Sequence, residues 1–167
     1  MTEPILEESY WRVRLQQARQ RHHAIFKCPL NEWQRIEEKH RDILRDRIGD
    51  QDRILDAGCG WGRLLDLMPD AWVGDYTGID LSPEFIDLAR EEHPDKNFLV
   101  GDLDNLGRFF TIGYEDIFDW GILISIRPMM IRNLGQNYWN QVEKKLRRVC
   151  KDLLFLEYDE KDRGEIV

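Results

Sequence analysis

Three glycines at alternate positions, Gly58, Gly60 and Gly62, constrain this chain more than any other feature. They follow a short apolar run, Ile54-Leu55, that ends in the acid Asp56. A helical pattern, Arg63-Leu64-Leu65-Asp66-Leu67-Met68, comes directly after them. That order predicts a buried strand, a tight turn and a helix N-terminus. A turn without Cβ atoms lets a ligand lie against bare backbone. The first amides of the following helix have no partners within it and point at whatever sits there.

The spacing narrows the ligand. A dinucleotide loop, G-x-G-x-x-G, needs glycine where Arg63 stands, which disfavours a nicotinamide oxidoreductase. A phosphate-cradling loop needs Lys-Ser or Lys-Thr after its last glycine, and neither is present. What remains, acid-x-Gly-x-Gly-x-Gly, resembles motif I of the class I S-adenosylmethionine-dependent methyltransferases. The resemblance implies an α/β fold: a three-layer Rossmann-like methyltransferase sheet, mostly parallel. It also implies S-adenosyl-L-methionine as cofactor, leaving as S-adenosyl-L-homocysteine. The loop Asp56, Ala57, Gly58, Cys59, Gly60 and Gly62 would wrap the methionine end, with Asp56 facing the amino group. An acid suits a ligand that carries an ammonium and a sulfonium and no phosphate.

The same resemblance assigns residues further along. Tyr76-Thr77-Gly78-Ile79-Asp80 reads as a second strand ending in an acid, 22 residues beyond Gly58. An acid about 20 residues past a glycine turn can accept both ribose hydroxyls, and Asp80, with Leu81 beside it, matches the family's motif II. Ser82 as N-cap and Pro83 at the first helical position then open a helix. Asn97-Phe98-Leu99-Val100-Gly101-Asp102-Leu103 reads as a third strand and its exit. That exit, Gly101-Asp102-Leu103, resembles the family's adenine site: Asp102 would accept from the adenine amino group and Leu103 would pack on the ring. Phe118 to Ser125 reads as a fourth strand, apolar from Ile122 as burial on both faces requires. Ser125 at its end faces the cofactor side. Arg127 is the acceptor-side candidate, able to grip an anion bidentately; the competing reading is a surface arginine that fixes a loop. Gln136 to Val149 is an amphipathic helix with Trp139, Val142, Leu146 and Val149 on one face. Leu153 to Leu156 reads as a fifth strand.

At 167 residues this is one domain. Residues 1–50 are expected to form N-terminal helices and a lid, 51–157 the cofactor-binding core, and 158–167 a charged tail. Within the first part, Glu7 to Arg21 is an expected helix carrying Tyr10 and Trp11. These resemble the aromatic pair that closes over the cofactor in many small-molecule methyltransferases; aromatic faces suit a sulfonium. Asn31 is the expected N-cap of a second helix, with Gln34 as capping-box partner. Trp33, Ile36, His40, Ile43, Leu44 and Ile48 mark its buried face, and Gly49 its end. The family's full sheet has seven strands, whereas the residues after Leu156 are too few for two more. The sheet is therefore expected to be truncated after strand five, leaving an edge that the charged tail protects or that pairs in a homodimer.

The remaining composition excludes several classes. Cys28, Cys59 and Cys150 lack metal spacing and are odd in number, and His22, His23, His40 and His93 match no zinc template, so no metal is expected. No apolar run reaches membrane-spanning length and no secretory signal opens the sequence, which predicts a cytoplasmic protein with no membrane partner. A net charge of −8 disfavours nucleic acid, although basic residues cluster at Arg12 to Lys27 and at Lys144, Lys145, Arg147, Arg148 and Lys151.

Ser125-Ile126-Arg127-Pro128-Met129 lacks the tandem proline and aromatic of amino-methylating DNA enzymes, and no cysteine nucleophile stands there. The expected reaction is methyl transfer to an oxygen or nitrogen of a small molecule. No catalytic residue is assigned, because an activated sulfonium requires chiefly alignment and exclusion of water. The alternatives are a nucleic-acid (RNA or DNA) methyltransferase and a non-catalytic module of the same fold.

Overall fold

The computed structural model describes residues 29–110 and 115–157. Helix α1 (Leu30–Arg47) leads into β1 (Ile54–Ala57), α2 (Arg63–Leu67), β2 (Tyr76–Asp80), α3 (Pro83–Glu92) and β3 (Asn97–Val100). A 3-10 helix (Leu103–Arg108), β4 (Phe118–Ile124), α4 (Ile126–Leu134), α5 (Gln136–Val149) and β5 (Cys150–Leu156) follow. The strands form one sheet in the order β3-β2-β1-β4-β5, and every pairing is parallel. Parallel neighbours need crossovers, and the crossover helices cover both faces.

Alternation along β1 shows how the sequence sorts itself between the layers. Ile54 joins Leu44, Leu64, Ile86 and Phe98 on the side of α1, α2 and α3. Leu55 and Ala57 join Leu103, Trp139, Val142 and Leu146 on the side of α4, α5 and the 3-10 helix. Asp56 shares the parity of Ile54, so an ionisable group is carried into the first core. From β1 the chain winds outward one way through β2 and β3, and the other way through β4 and β5. That reversal opens a crevice beyond the carboxyl ends of β1 and β4, where open α/β sheets bind ligands.

Several local expectations hold. β2 and α5 run over the predicted residues, and Ser82 caps α3, its hydroxyl accepting from the Phe85 amide at 3.3 Å with Pro83 at the first position. Others change. Asn31 does not cap α1: the helix begins at Leu30, and the Pro29 carbonyl accepts from the Glu32 and Trp33 amides. Proline holds φ near the helical value and so can open a helix without a side-chain cap. β4 stops at Ile124, and the segment expected as its exit folds as α4; Pro128 falls in the first turn, where no helical amide is missed. β5 begins at Cys150, directly after α5 and three residues before the predicted start.

β5 lies at one end of the sheet, and among the described residues no strand pairs with its outer edge. No described helix is long and apolar enough to cross a membrane. Among the described residues no group of three or more His, Cys, Asp or Glu is placed to hold a metal ion. The helix expected over Glu7 to Arg21, the Tyr10-Trp11 pair, the first basic cluster, His22, His23, Cys28 and the tail 158–167 lie outside the described residues.

Candidate functional site

All three loop glycines have positive φ, 82° at Gly58, 55° at Gly60 and 87° at Gly62. Their surroundings differ. A Cβ on Gly58 would lie 2.5 Å from Ile126 Cδ1, so the first residue of α4 fills that side of the loop. Among the described residues, a Cβ on Gly60 would meet nothing within 4 Å. The open face of the turn is therefore at Gly60, and Gly58 is glycine to let α4 seat against the loop.

Hydrogen bonds fold the loop over the end of β2. The Gly58 and Cys59 amides donate to the Ile79 carbonyl at 2.8 and 3.1 Å. The Gly60 amide donates to Asp80 Oδ2 at 2.8 Å, and Asp80 Oδ1 accepts from the Ser82 amide at 2.9 Å. Each carboxylate oxygen carries two lone pairs, so Asp80 keeps acceptor capacity beyond these two amides. Burial raises its pKa above the ordinary carboxylate value, opposed by amides from Ser82, Gly60 and Leu81. Half-buried Leu81 follows it. Cys59 is packed against Gly78, and burial holds its thiol well above its ordinary pKa, which suits a packing role.

Asp56 is 2% exposed, and the Tyr76 hydroxyl donates to its Oδ2 at 2.7 Å. Burial pushes its pKa up to about 7; the Tyr76 bond opposes the rise, the Asp80 charge adds to it and the Arg63 charge reduces it. Arg63, the residue that breaks the dinucleotide pattern, is buried as the first residue of α2. Its guanidinium lies over the Trp33 ring, 4.1 Å from the centroid, and its Nε donates to Glu37 Oε1 at 3.3 Å. The substitution thus ties the glycine loop to α1. Trp61, between the last two glycines, is buried with its ring 5.9 Å from Phe85 of α3.

At the end of β3, a Cβ on Gly101 would collide with Phe109, so packing alone explains that glycine. Asp102 caps the 3-10 helix, Oδ1 accepting from the Asp104 amide at 2.9 Å. Leu103 is buried among Leu55, Ala57 and Ile79. At the end of β4, Ser125 adopts a left-handed φ of 60°, a strained conformation for a residue with a Cβ. Its amide donates to the Leu156 carbonyl at 3.0 Å, while its Oγ is buried without a hydrogen-bond partner among the described residues. A buried hydroxyl of that kind, at the carboxyl edge of the sheet, is a group that a ligand can satisfy.

Arg127 is placed differently from a free anion grip. Glu157 takes both arms of its fork, at 2.5 Å from Nε and 2.7 Å from the terminal nitrogen, and the guanidinium lies 4.6 Å from the Phe155 ring centroid. These contacts fasten α4 to the end of β5. They also wall a cavity of about 500 Å³ lined by Ile131, Arg132, Trp139 and Glu143 as well. In the second basic cluster, Lys145 pairs with Asp104, Arg147 with Glu143 and Lys151 with Asp119.

The predicted residues therefore converge in part. Asp80, at the tip of β2, binds the Gly60 amide beside the strand that carries Asp56, while Asp102 follows β3 and Ser125 follows β4, two strands that β2 and β1 separate. Four contributors escaped the sequence: Tyr76, Trp61, Ile126 and the Trp33–Arg63 pair. Trp61 carried a signal, a large aromatic inside a glycine run; Ile126 carried none, since its partner is 68 positions away.

A family model described as a methyltransferase domain matches residues 54–153. Malonyl-[acyl-carrier protein] O-methyltransferase of Pectobacterium atrosepticum is 41% identical over 54 residues, 32% of this chain and 21% of that protein. dTDP-3-amino-3,4,6-trideoxy-alpha-D-glucopyranose N,N-dimethyltransferase of Streptomyces venezuelae is 33% identical over 72 residues, 42% of this chain and 30% of that protein. The matched stretch thus spans less than a third of either relative. Among solved structures, magnesium protoporphyrin IX methyltransferase from Synechocystis, with S-adenosylmethionine bound, superposes with a TM-score of 0.60 at 16% identity, over 92% of this chain and 74% of that one. The PH0226 protein of Pyrococcus horikoshii gives 0.60 at 24% identity, over 83% and 66%. At these identities the likeness is one of fold.

Proposed function

Because the chain belongs to the class I methyltransferase-domain family, whose methyl donor is S-adenosylmethionine, we propose that it methylates an oxygen or nitrogen of a small molecule. The observation that carries this reading is the open face of Gly60 beside Asp80: bare backbone where a ligand can lie, next to a carboxylate with lone pairs to spare. Asp80 would hold the ribose hydroxyls, Asp56 the ammonium, and Asp102 the adenine amino group with Leu103 against the ring. Ser125 would offer its hydroxyl to the cofactor side, and Tyr10 and Trp11 would close over the sulfonium.

S-adenosylmethionine supplies a methyl group already activated by positive sulfur, so the protein's part is alignment and exclusion of water. Ile126 supports that part by walling the loop at Gly58. The cavity beside Arg127 is the acceptor pocket in this reading, since α4 lines it one residue after touching the glycine loop. Arg127 acts there by bracing α4 through Glu157. The acceptors named for the two relatives are not nucleic acids, and one is methylated on oxygen, the other on nitrogen. Three of the five cations in the second basic cluster are held in ion pairs, which weakens the case for a nucleic-acid acceptor.

The test is transfer of isotopically labelled methyl from S-adenosylmethionine to a panel of small amines, alcohols and carboxylic acids, read by mass spectrometry. Label on a small acceptor supports the reading. Label on RNA or DNA alone would replace it, and cofactor binding without transfer to any acceptor would favour a non-catalytic module.

A further inference from the structure

Tyr76 is a group the assigned chemistry leaves unused. It opens β2 opposite Ile54 and shares the core face that Asp56 enters. Its ring is fixed edge-on by Phe98, with centroids 5.5 Å apart at 63°, and its hydroxyl reaches Asp56 Oδ2 at 2.7 Å. Both residues are buried. We propose that Tyr76 is a positioning residue for the cofactor's ammonium: it holds one oxygen of Asp56, aims the other at the ligand, and so makes cofactor binding expel a proton. This inference rests on the cofactor reading above and adds a residue and a linkage to it.

The charge balance of the pocket supports it. Among the described residues, the groups that act on Asp56 are Tyr76 and Asp80 from β2, Cys59 from the loop and Arg63 from α2. Glu37 and His40 stand on α1, which covers the same face. Asp80 and Cys59 add no positive charge, and Arg63 is shared with Glu37 and Trp33. A carboxylate taken out of water without a close cation keeps its proton near neutrality, and burial pushes this one to about 7. An incoming ammonium supplies the missing positive charge. The step balances as a proton exchange: the Asp56 carboxyl gives its proton to solvent, and the resulting carboxylate pairs with the ammonium.

Tyr76 sets where this happens, because its hydroxyl stabilises the ionised carboxylate. Without it Asp56 would bind its proton more tightly, and affinity would be lost at a higher pH.

The experiment is titration calorimetry of S-adenosylhomocysteine, whose amino group is the same, into the whole protein between about pH 5.5 and about pH 8.5. For the native protein we expect affinity to fall up to about tenfold per pH unit below the midpoint, and proton release to appear as a difference in heat between buffers of low and high ionisation enthalpy. Tyr76→Phe should move the midpoint upward, and Asp56→Asn should remove the pH dependence. A midpoint unmoved by Tyr76→Phe would overturn the positioning role, since mere loss of packing lowers affinity at every pH alike. Tight binding that is flat in pH, with no buffer dependence, would overturn the proton linkage while leaving the cofactor reading intact. The buffer comparison needs no variant, so a poorly folding mutant does not spare the linkage. Absence of binding at every pH would overturn the cofactor reading itself.

Discussion

Asp80 accepts the amide of Gly60 at 2.8 Å, so the acid at the tip of β2 also fixes the loop whose open face the ligand needs. One residue thus shapes the site and offers it hydrogen-bond acceptors. Asp80→Ala should remove both contributions. With hydrogen bonds to a charged group worth about 1.5–3 kcal/mol, the expected loss of S-adenosylhomocysteine affinity is about 10- to 100-fold or more. Asp80→Asn keeps one acceptor oxygen and should lose less. Tryptophan fluorescence titration would measure both, and equal affinity in Asp80→Ala and native protein would refute the assignment.

Alanine at Gly58 and at Gly60 should behave differently. Both positions have positive φ, which costs a residue with a Cβ about 1–2 kcal/mol. At Gly58 the new methyl also meets the Ile126 side chain, which must shift; at Gly60 it meets nothing among the described residues. Thermal melts should therefore show the larger loss of stability for Gly58→Ala. Gly60→Ala should be the milder change to the fold yet should depress cofactor binding, because its methyl enters the open face.

Asp56 should weaken the fold above neutral pH in exchange for its place in the site. Its carboxyl has a folded-state pKa of about 7 against an ordinary value of 3.8. The unfolded chain gives up this proton first as pH rises, so stability declines from about pH 4 to about pH 7 and then levels off. Asp56→Asn, whose amide oxygen can still accept from Tyr76, should melt higher than the native protein at about pH 8 and lose that advantage toward about pH 4. The full effect is on the order of 4 kcal/mol. Cofactor binding should fall in the same variant.

Asp119 has the opposite sign. Arg53 above all, and then Lys151, hold its carboxylate well below the ordinary range, across the junction of β1 and β4. Its stabilisation is present above the unfolded value near 4 and is lost as pH falls toward the folded one. Asp119→Asn should lower the melting temperature at neutral pH, with the gap closing in acid, as a pair of melting curves at the two pH values would show.

These expectations show what could be read in advance. β1, the glycine turn, β2 with Asp80, and α5 were legible because each is set by local chemistry: an apolar run, residues tolerant of positive φ, a strand-ending acid, a helical stripe. Ser82 and Pro83 announced α3 in the same way. The start of α4 was not legible, because Ser125-Ile126-Arg127-Pro128 looks like a strand exit until Gly58 and Glu157 are seen to hold it. Arg127 illustrates the limit: its charge suited both an anion from outside and an arginine that fixes a loop, and the Glu157 that takes its fork lies thirty residues along the chain. Asp56 was found as an acid, but its hydroxyl partner on the neighbouring strand was invisible to spacing.

The most direct test of the central claim is a crystal structure of the protein grown with S-adenosylhomocysteine. We expect the nucleoside to lie over Gly60, its ribose hydroxyls on Asp80 and its amino group toward Asp56. A ligand bound elsewhere, or one whose ribose lies away from Asp80, would contradict it.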